Sequence, residues 1–566
     1  MYHRSGVQHL QGELARPLEK WGYQITSAGW SNPASDLSFR KVSQHLAGLA
    51  RKPLARILGA TPDPKAAIPM ALTPYQQLEQ EFRRLHALQG AASLLHWDAA
   101  VMMPRGSAEV RGEQLAALET ECHALLITPK ISRLLERAQA NSQGLEDWQL
   151  ANLREMRRAQ DHALATPQSL VSRLARATAR AEARWVEARQ QSSFAAFAPH
   201  LEEVVKLTRD KANLLGQALS LAPYDALIDE FSPGLASAEI DQIFTALGRR
   251  LPGFIQKAIA LQADAPPQPL AGRFTASKQR QLAVELMKGL GFPFDRGRLD
   301  ESEHPFTGGV QGDIRVTTRF DVNDPLSGLM GVLHECGHAL YDFNLPEAWL
   351  GQPVGRDRGM AVQESQSLLL EMVIARSRPF LRYLKPLLER SFGVSGPEWE
   401  VENLYRLLTR VQRSPIRIDA DELTYPLHVM LRFDLEKDIL AGELKVKDLP
   451  EAWNAGMERR LDLRPENDAQ GCLQDVHWAV GSFGYFPSYV LGAVMAGQLY
   501  ESLRADRPGL DEELAAGQFG GLFDWLKTHV HGLGASVSTP DLIRNATGKP
   551  LSAAAWLRYA ETKYLE

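Results

Sequence analysis

Residues 324–340 read DPLSGLMGVLHECGHAL, and the rest of the chain is best read outward from them. Asp324 followed by Pro325 is a favourable helix start. The aspartate can accept from the free N–H groups of the first turn, and proline suits the first helical position. Leu326, Leu329, Met330, Leu333 and Leu340 fall on one face, which reads as a buried stripe. His334 and His338 stand one turn apart on a neighbouring face, where two imidazoles at i, i+4 can reach one metal ion. Glu335 projects beside them, within reach of a water on that ion. A pair of structural histidines on a buried helix would give the same letters, so a metal reading needs a third ligand.

Residues 359–376 (GMAVQESQSLLLEMVIAR) form a second helix pattern, rich in good helix formers. Glu364 lies 26 residues after His338 and can complete a site of three protein ligands with one position open for water. Glu371 competes for the role, two turns further along a similar face. A histidine third ligand in the pattern HExxHxxGxxH is excluded, because Tyr341 and Asn344 occupy the required places.

Helical patterns dominate elsewhere. Residues 74–95 place Leu78, Phe82, Leu85 and Leu88 at three- and four-residue steps, and helical stretches follow at 108–126, 148–163 and 169–190. Residues 263–270 (ADAPPQPL) are a loop, since three prolines cannot sit inside a helix. The best strand is 312–320 (GDIRVTTRF), where Ile314, Val316 and Thr318 alternate with Asp313, Arg315, Thr317 and Arg319. It reads as an edge strand close before the metal helix, where Asp313 and Arg315 could contact a substrate backbone or pair with each other. No internal repeat is visible at solenoid periods.

The chain has 566 residues, long enough for a large core. Its net charge of −5 gives no reason to expect nucleic acid or a membrane as a partner. Three cysteines (Cys122, Cys336, Cys472) at no metal-knuckle spacing favour a reducing, cytoplasmic compartment. No apolar run is long enough to span a bilayer, and the N-terminus lacks the apolar core of a secretory signal. Residues 1–72 mix Ser, Pro, Gly and scattered charge. They read as a poorly ordered extension or a misassigned start, with one catalytic domain over 73–566.

Several motifs stand in a known order. Asp313-Ile314-Arg315-Val316-Thr317 fits DxRxT, and residues 334–338 give HECGH. Residues 416–421 (IRIDAD) fit IRxxAD, and residues 471–478 (GCLQDVHW) fit GxxQDxHW. With Trp97-Asp98 and Met103-Pro104 upstream, residues 73–566 resemble the thermostable metallocarboxypeptidase family of carboxypeptidase Taq type. The resemblance implies a mainly α fold, a large helical bundle divided by a deep active-site groove with a small β-sheet near the metal helix. It also implies a homodimer acting on peptides with a free C-terminal carboxylate. One divalent metal per chain is expected, zinc with cobalt as a substitute, on His334, His338 and Glu364.

Glu335 is then the general base, and Arg417 of IRIDAD binds the terminal carboxylate, with Tyr489 of residues 485–489 (YFPSY) as its phenol partner. A salt bridge from Arg417 to Asp419, Asp421 or Glu422 is the alternative role for that arginine. Gln474, Asp475 and His477 belong to a loop that the resemblance implies closes the far end of the groove; a buried polar network is the other reading. Two positions depart from the family's HESQSR segment, Gln363 for His and Leu368 for Arg, which puts the support of the metal ligands in question. An oligopeptidase or dipeptidyl carboxypeptidase on a similar scaffold, or a non-catalytic metal-stabilised scaffold, are the rival functions.

Overall fold

The computed structural model describes residues 72–566, together with the backbone of a small hairpin. In that hairpin β1 (Gln24–Thr26) pairs antiparallel with β2 (Gly29–Ser31). The expectations for the remaining N-terminal residues lie outside the described residues. Residues 72–566 cluster as one compact unit, mainly helical with one three-stranded sheet.

Helix α1 (Pro74–Val101) starts on a capping box: Thr73 Oγ accepts from Gln76 N–H, and the Gln76 side chain accepts from Thr73 N–H. It packs with helices Ala108–Leu126, Pro129–Ala140 and Asp147–Ala165 around a small core of Tyr75, Leu78, Phe82, Leu135, Leu153 and Met156. Buried Asn152 links this layer onward, donating to Tyr75 Oη (3.0 Å) and Gln352 Oε1 (3.1 Å). The remaining helices bury a second, much larger core. The helix expected at 169–190 is Gln168–Gln191, and helix Ser237–Ala263 ends where the proline-rich loop begins.

The sheet has the order β3 (Gly297–Glu301), β5 (Asp313–Thr318), β4 (Phe306–Val310). β3 runs parallel to β5, and β4 antiparallel to it with Phe306 opposite Thr317. This corrects the sequence reading: 313–318 is the central strand, not an edge. Its alternation is real, with Ile314 and Val316 buried, but both of its hydrogen-bonding sides are taken. A one-sided alternating pattern reports burial of a face and says nothing about strand order. The edge nearest the metal helix is β4.

Helix α2 (Pro325–Phe343) packs on β5. Asp324 Oδ1 accepts from the N–H groups of Leu326 (3.0 Å) and Ser327 (3.2 Å), a cap whose loss costs about 1 kcal/mol. Leu326, Leu329, Met330, Leu333 and Leu340 are all buried as the stripe required. Helix α3 (Met360–Leu368) continues into a π-helical segment, Leu369–Ala375, rather than running as one α-helix. Helices α4 (Tyr425–Ala441), α5 (Pro487–Asp506) and α6 (Ala553–Leu565) enclose the site from the C-terminal side.

Candidate metal centre

Two glycines let three helices meet closely. A Cβ on Gly337 of α2 would stand 2.5 Å from Gln366 O and Ser367 Cα of α3, and one on Gly492 of α5 would stand 2.6 Å from Glu364 Cβ. No side chain fits either gap. The approach brings α2's histidines and α3's glutamate to one point: the ligating atoms of His334, His338 and Glu364 all lie within 4.8 Å of one another. His338 Nε2 and Glu364 Oε2 are 3.7 Å apart, and the two imidazoles are nearly perpendicular at 77°.

Both imidazoles are fixed through their far nitrogens. His334 Nδ1 contacts Glu371 Oε2 at 3.0 Å, and His338 Nδ1 contacts Gln363 Oε1 at 3.1 Å. Each thereby turns Nε2 toward the common point. Two imidazoles, each held from behind, and one carboxylate are the donor set of a catalytic zinc-type ion.

The electrostatics divide the carboxylates by role. Burial works against the Glu371 carboxylate, but Arg376 and His334 hold it ionised, down at about 2. Burial also pulls on His334, yet the Glu371 hydrogen bond and the charges of Glu364 and Glu335 push it up to about 10. Glu371 therefore stands as the charged acceptor behind His334, while Glu364 faces the common point. Glu371 and Met372 both lie in the π-helical segment, and the Met372 carbonyl accepts from side chains of α6. Lys563 of α6 donates to that carbonyl at 2.7 Å. Glu364, with no such partner, is pushed up to about 7 by burial.

Glu335 is buried, and burial raises its carboxyl. Thr307 on β4 sets its orientation: the hydroxyl lies 2.7 Å from Glu335 Oε2 and 2.9 Å from the Glu335 carbonyl. Sequence reasoning passed over Thr307, since nothing in HPFTGG marks it.

Arg417 is buried against Asp475, not against Asp419, Asp421 or Glu422. Its Nε and Nη2 donate to Asp475 Oδ1 at 3.0 and 2.8 Å, while Arg432 occupies Asp475 Oδ2. Gln474 Oε1 accepts from the Arg417 backbone N–H at 2.8 Å, and its Nε2 donates to the carbonyls of Pro415 and Gln470. Asp421 accepts from Leu423 and Thr424 N–H, and Glu422 pairs with Lys563. The guanidinium lies 5.0 Å over the Tyr489 ring, whose hydroxyl is 3.2 Å from His477 Nε2. So Gln474, Asp475 and His477 form a largely buried polar network around Arg417 and Tyr489.

Arg417 and the metal-facing glutamate share one electrostatic neighbourhood, since the arginine's charge lowers the pKa of Glu364. Tyr425 and Tyr485 belong to it too; burial keeps both phenols protonated, well above their usual range, and Tyr489 is pushed up to about 12. Tyr425 and Arg432 were not singled out from sequence, although both sit on the helix that follows IRIDAD. Asp313 and Arg315 stand on β5. They pair with each other at 2.7 Å, and Arg315 stacks 4.5 Å over Trp97 of α1, with Arg298 5.1 Å over the same ring.

Comparison with known proteins covers the same stretch. Residues 77–564 match the family model for carboxypeptidase Taq (M32) metallopeptidase. The chain is 35% identical to thermostable carboxypeptidase 1 of Thermus thermophilus, over 87% of its own length and 98% of that protein. It is 34% identical to carboxypeptidase 1 of Bacillus subtilis, over 86% and 98%. Among solved structures, metallocarboxypeptidase 1 of Trypanosoma cruzi superposes with a TM-score of 0.85 at 37% identity, covering 87% of this chain and 99% of that one.

Proposed function

Since the chain belongs to the carboxypeptidase Taq (M32) metallopeptidase family, whose members are metal-dependent peptide hydrolases, we propose that it removes single residues from peptide C-termini at the centre built on α2 and α3. The observation that carries this reading is the convergence of His334, His338 and Glu364 beside a buried Glu335 and a buried, pre-oriented Arg417.

His334, His338 and Glu364 would hold one divalent ion, zinc by the chemistry of the donors, with cobalt able to replace it. When bound, the ion supplies Lewis-acid polarisation of the scissile carbonyl and of the attacking water. Glu335 takes the proton of that water; Thr307 holds one of its carboxylate oxygens and leaves the other for the transfer. Glu335 then delivers the proton to the departing amine nitrogen. The phenols of Tyr425, Tyr485 and Tyr489 stay protonated near neutral pH, so they can donate to an oxyanion rather than repel it.

Arg417 binds the terminal carboxylate. Two of its nitrogens are committed to Asp475, which fixes the plane of the guanidinium. A planar fork held in one orientation measures a fixed distance from the ion, and that distance makes the enzyme an exopeptidase. The β4 edge beside Glu335, not β5, is the strand available to a substrate backbone.

A homodimer is the assembly the resemblance implies, and three buried free cysteines suit a reducing, cytoplasmic compartment. No helix among the described residues is long and apolar enough to cross a membrane. The reading is tested with matched peptides carrying a free or an amidated C-terminus. Single-residue trimming should occur only on the free form, and equal hydrolysis of both would reject the exopeptidase assignment.

A further inference from the structure

Gln363 precedes Glu364, and its side chain is buried between α2 and α3. Its Oε1 stands 3.1 Å from His338 Nδ1, and its Nε2 donates to Asp342 Oδ1 at 2.7 Å. A primary amide has one accepting and one donating end. The two contacts together therefore decide how it lies. Asp342, one turn after His338 on α2, accepts from the N–H end, and the carbonyl end faces His338, placed to accept from Nδ1–H. With its proton held at Nδ1, His338 keeps its lone pair on Nε2, the nitrogen 3.7 Å from Glu364. Turned the other way, the amide would offer N–H to Nδ1 and force the proton onto Nε2, where no metal could bind.

We infer that Gln363 is a positioning residue for the metal centre, which with Asp342 sets the tautomer and ring orientation of His338. The inference deepens the metal reading above and rests on it. The two histidines are then supported differently. His334 leans on a charged glutamate, and His338 on a neutral amide whose sense is fixed by a carboxyl one step further out. This answers what the Gln363 departure does to the site: glutamine carries an acceptor and a donor on one rigid group, as a relay between imidazole and carboxyl requires. Methionine has the length of glutamine, no donor and only a weak acceptor. Histidine has both.

The test is zinc affinity of the full chain, by competition with a chromophoric chelator, beside the rise in thermal midpoint on adding zinc. Gln363→Met should weaken zinc binding about 10- to 100-fold and shrink the zinc-induced rise, and Gln363→His should restore most of both. Asp342→Asn, which lets the amide adopt either sense, should weaken binding in the same direction by less. A merely structural role would lower the midpoints of the metal-free and metal-loaded forms alike and leave the affinity unchanged. Unchanged affinity in Gln363→Met and Asp342→Asn together overturns the inference, as does failure of Gln363→His to recover. If His338→Ala binds zinc as tightly as the wild type, the ligand assignment itself fails and takes the inference with it.

Discussion

His334 Nδ1 and Glu371 Oε2 stand 3.0 Å apart, and Arg376 holds the same glutamate from its other oxygen. The carboxylate thus raises the basicity of one metal-facing imidazole while being charge-balanced from behind. Glu371→Gln keeps the size and an acceptor but loses the charge. It should cost about tenfold or more in zinc affinity, read by chelator competition. Glu371→Ala leaves partly buried Arg376 without its carboxylate, and urea unfolding should show a loss of about 2–3 kcal/mol.

Arg417 is expected to act on the substrate and not on the ion. Arg417→Ala should lower kcat/KM on free-carboxylate peptides by about a hundredfold or more with zinc affinity preserved. The preference for free over amidated C-termini should collapse in the same variant. Arg417→Lys should recover little, because an ammonium lacks the planar fork.

Asp475 gives the fold an acid-sensitive term. Burial opposes its ionisation, but Arg432 and Arg417 hold its carboxyl far below the usual carboxylate range. The folded pKa lies below the unfolded value of about 3.9, so the native state binds fewer protons than the unfolded one between the two. Its stabilising contribution is fully present above about pH 4 and fades as pH falls through the folded pKa. Asp475→Asn should remove this slope from thermal midpoints measured below about pH 4. It should also destabilise the protein at pH 7 by about 3–5 kcal/mol, since Arg432 is buried without another carboxylate partner.

Thr307 tunes the general base. Its hydroxyl favours the ionised form of Glu335, so Thr307→Val should raise the carboxyl's pKa and move the acid limb of the kcat/KM profile to higher pH. The loss of kcat should be about tenfold, the worth of one hydrogen bond to a charged group. A profile superimposable on the wild type would remove Thr307 from the mechanism.

What the sequence disclosed depended on how local each relationship is. His334, Glu335 and His338 share one helix, so their geometry follows from a 3.6-residue period, and Asp324-Pro325 announced the start of that helix at the right residue. Glu364 and Glu371 were indistinguishable by periodicity, since seven residues return a helix to nearly the same face. The packing of α3 against α2 and α5, made possible by Gly337 and Gly492, puts Glu364 at the point the two imidazoles share and Glu371 behind His334. The central place of 313–318 was hidden for a similar reason: alternation records which face is buried, while strand order is set by chain segments on both sides. The Arg417–Asp475 pair joins residues 58 apart in sequence, and the nearer acids at 419, 421 and 422 were the wrong partners. Charge complementarity in sequence has no range, whereas a salt bridge needs a shared site.

The most direct test of the central claim is a mass-spectrometric time course on one unblocked, mixed-sequence peptide. It compares zinc-loaded wild type, the same protein with chelator, and zinc-loaded Glu335→Gln. A ladder of single-residue losses from the C-terminus in the first sample alone is the predicted result. A ladder that persists with chelator or in Glu335→Gln, or internal fragments in place of a ladder, would contradict the account.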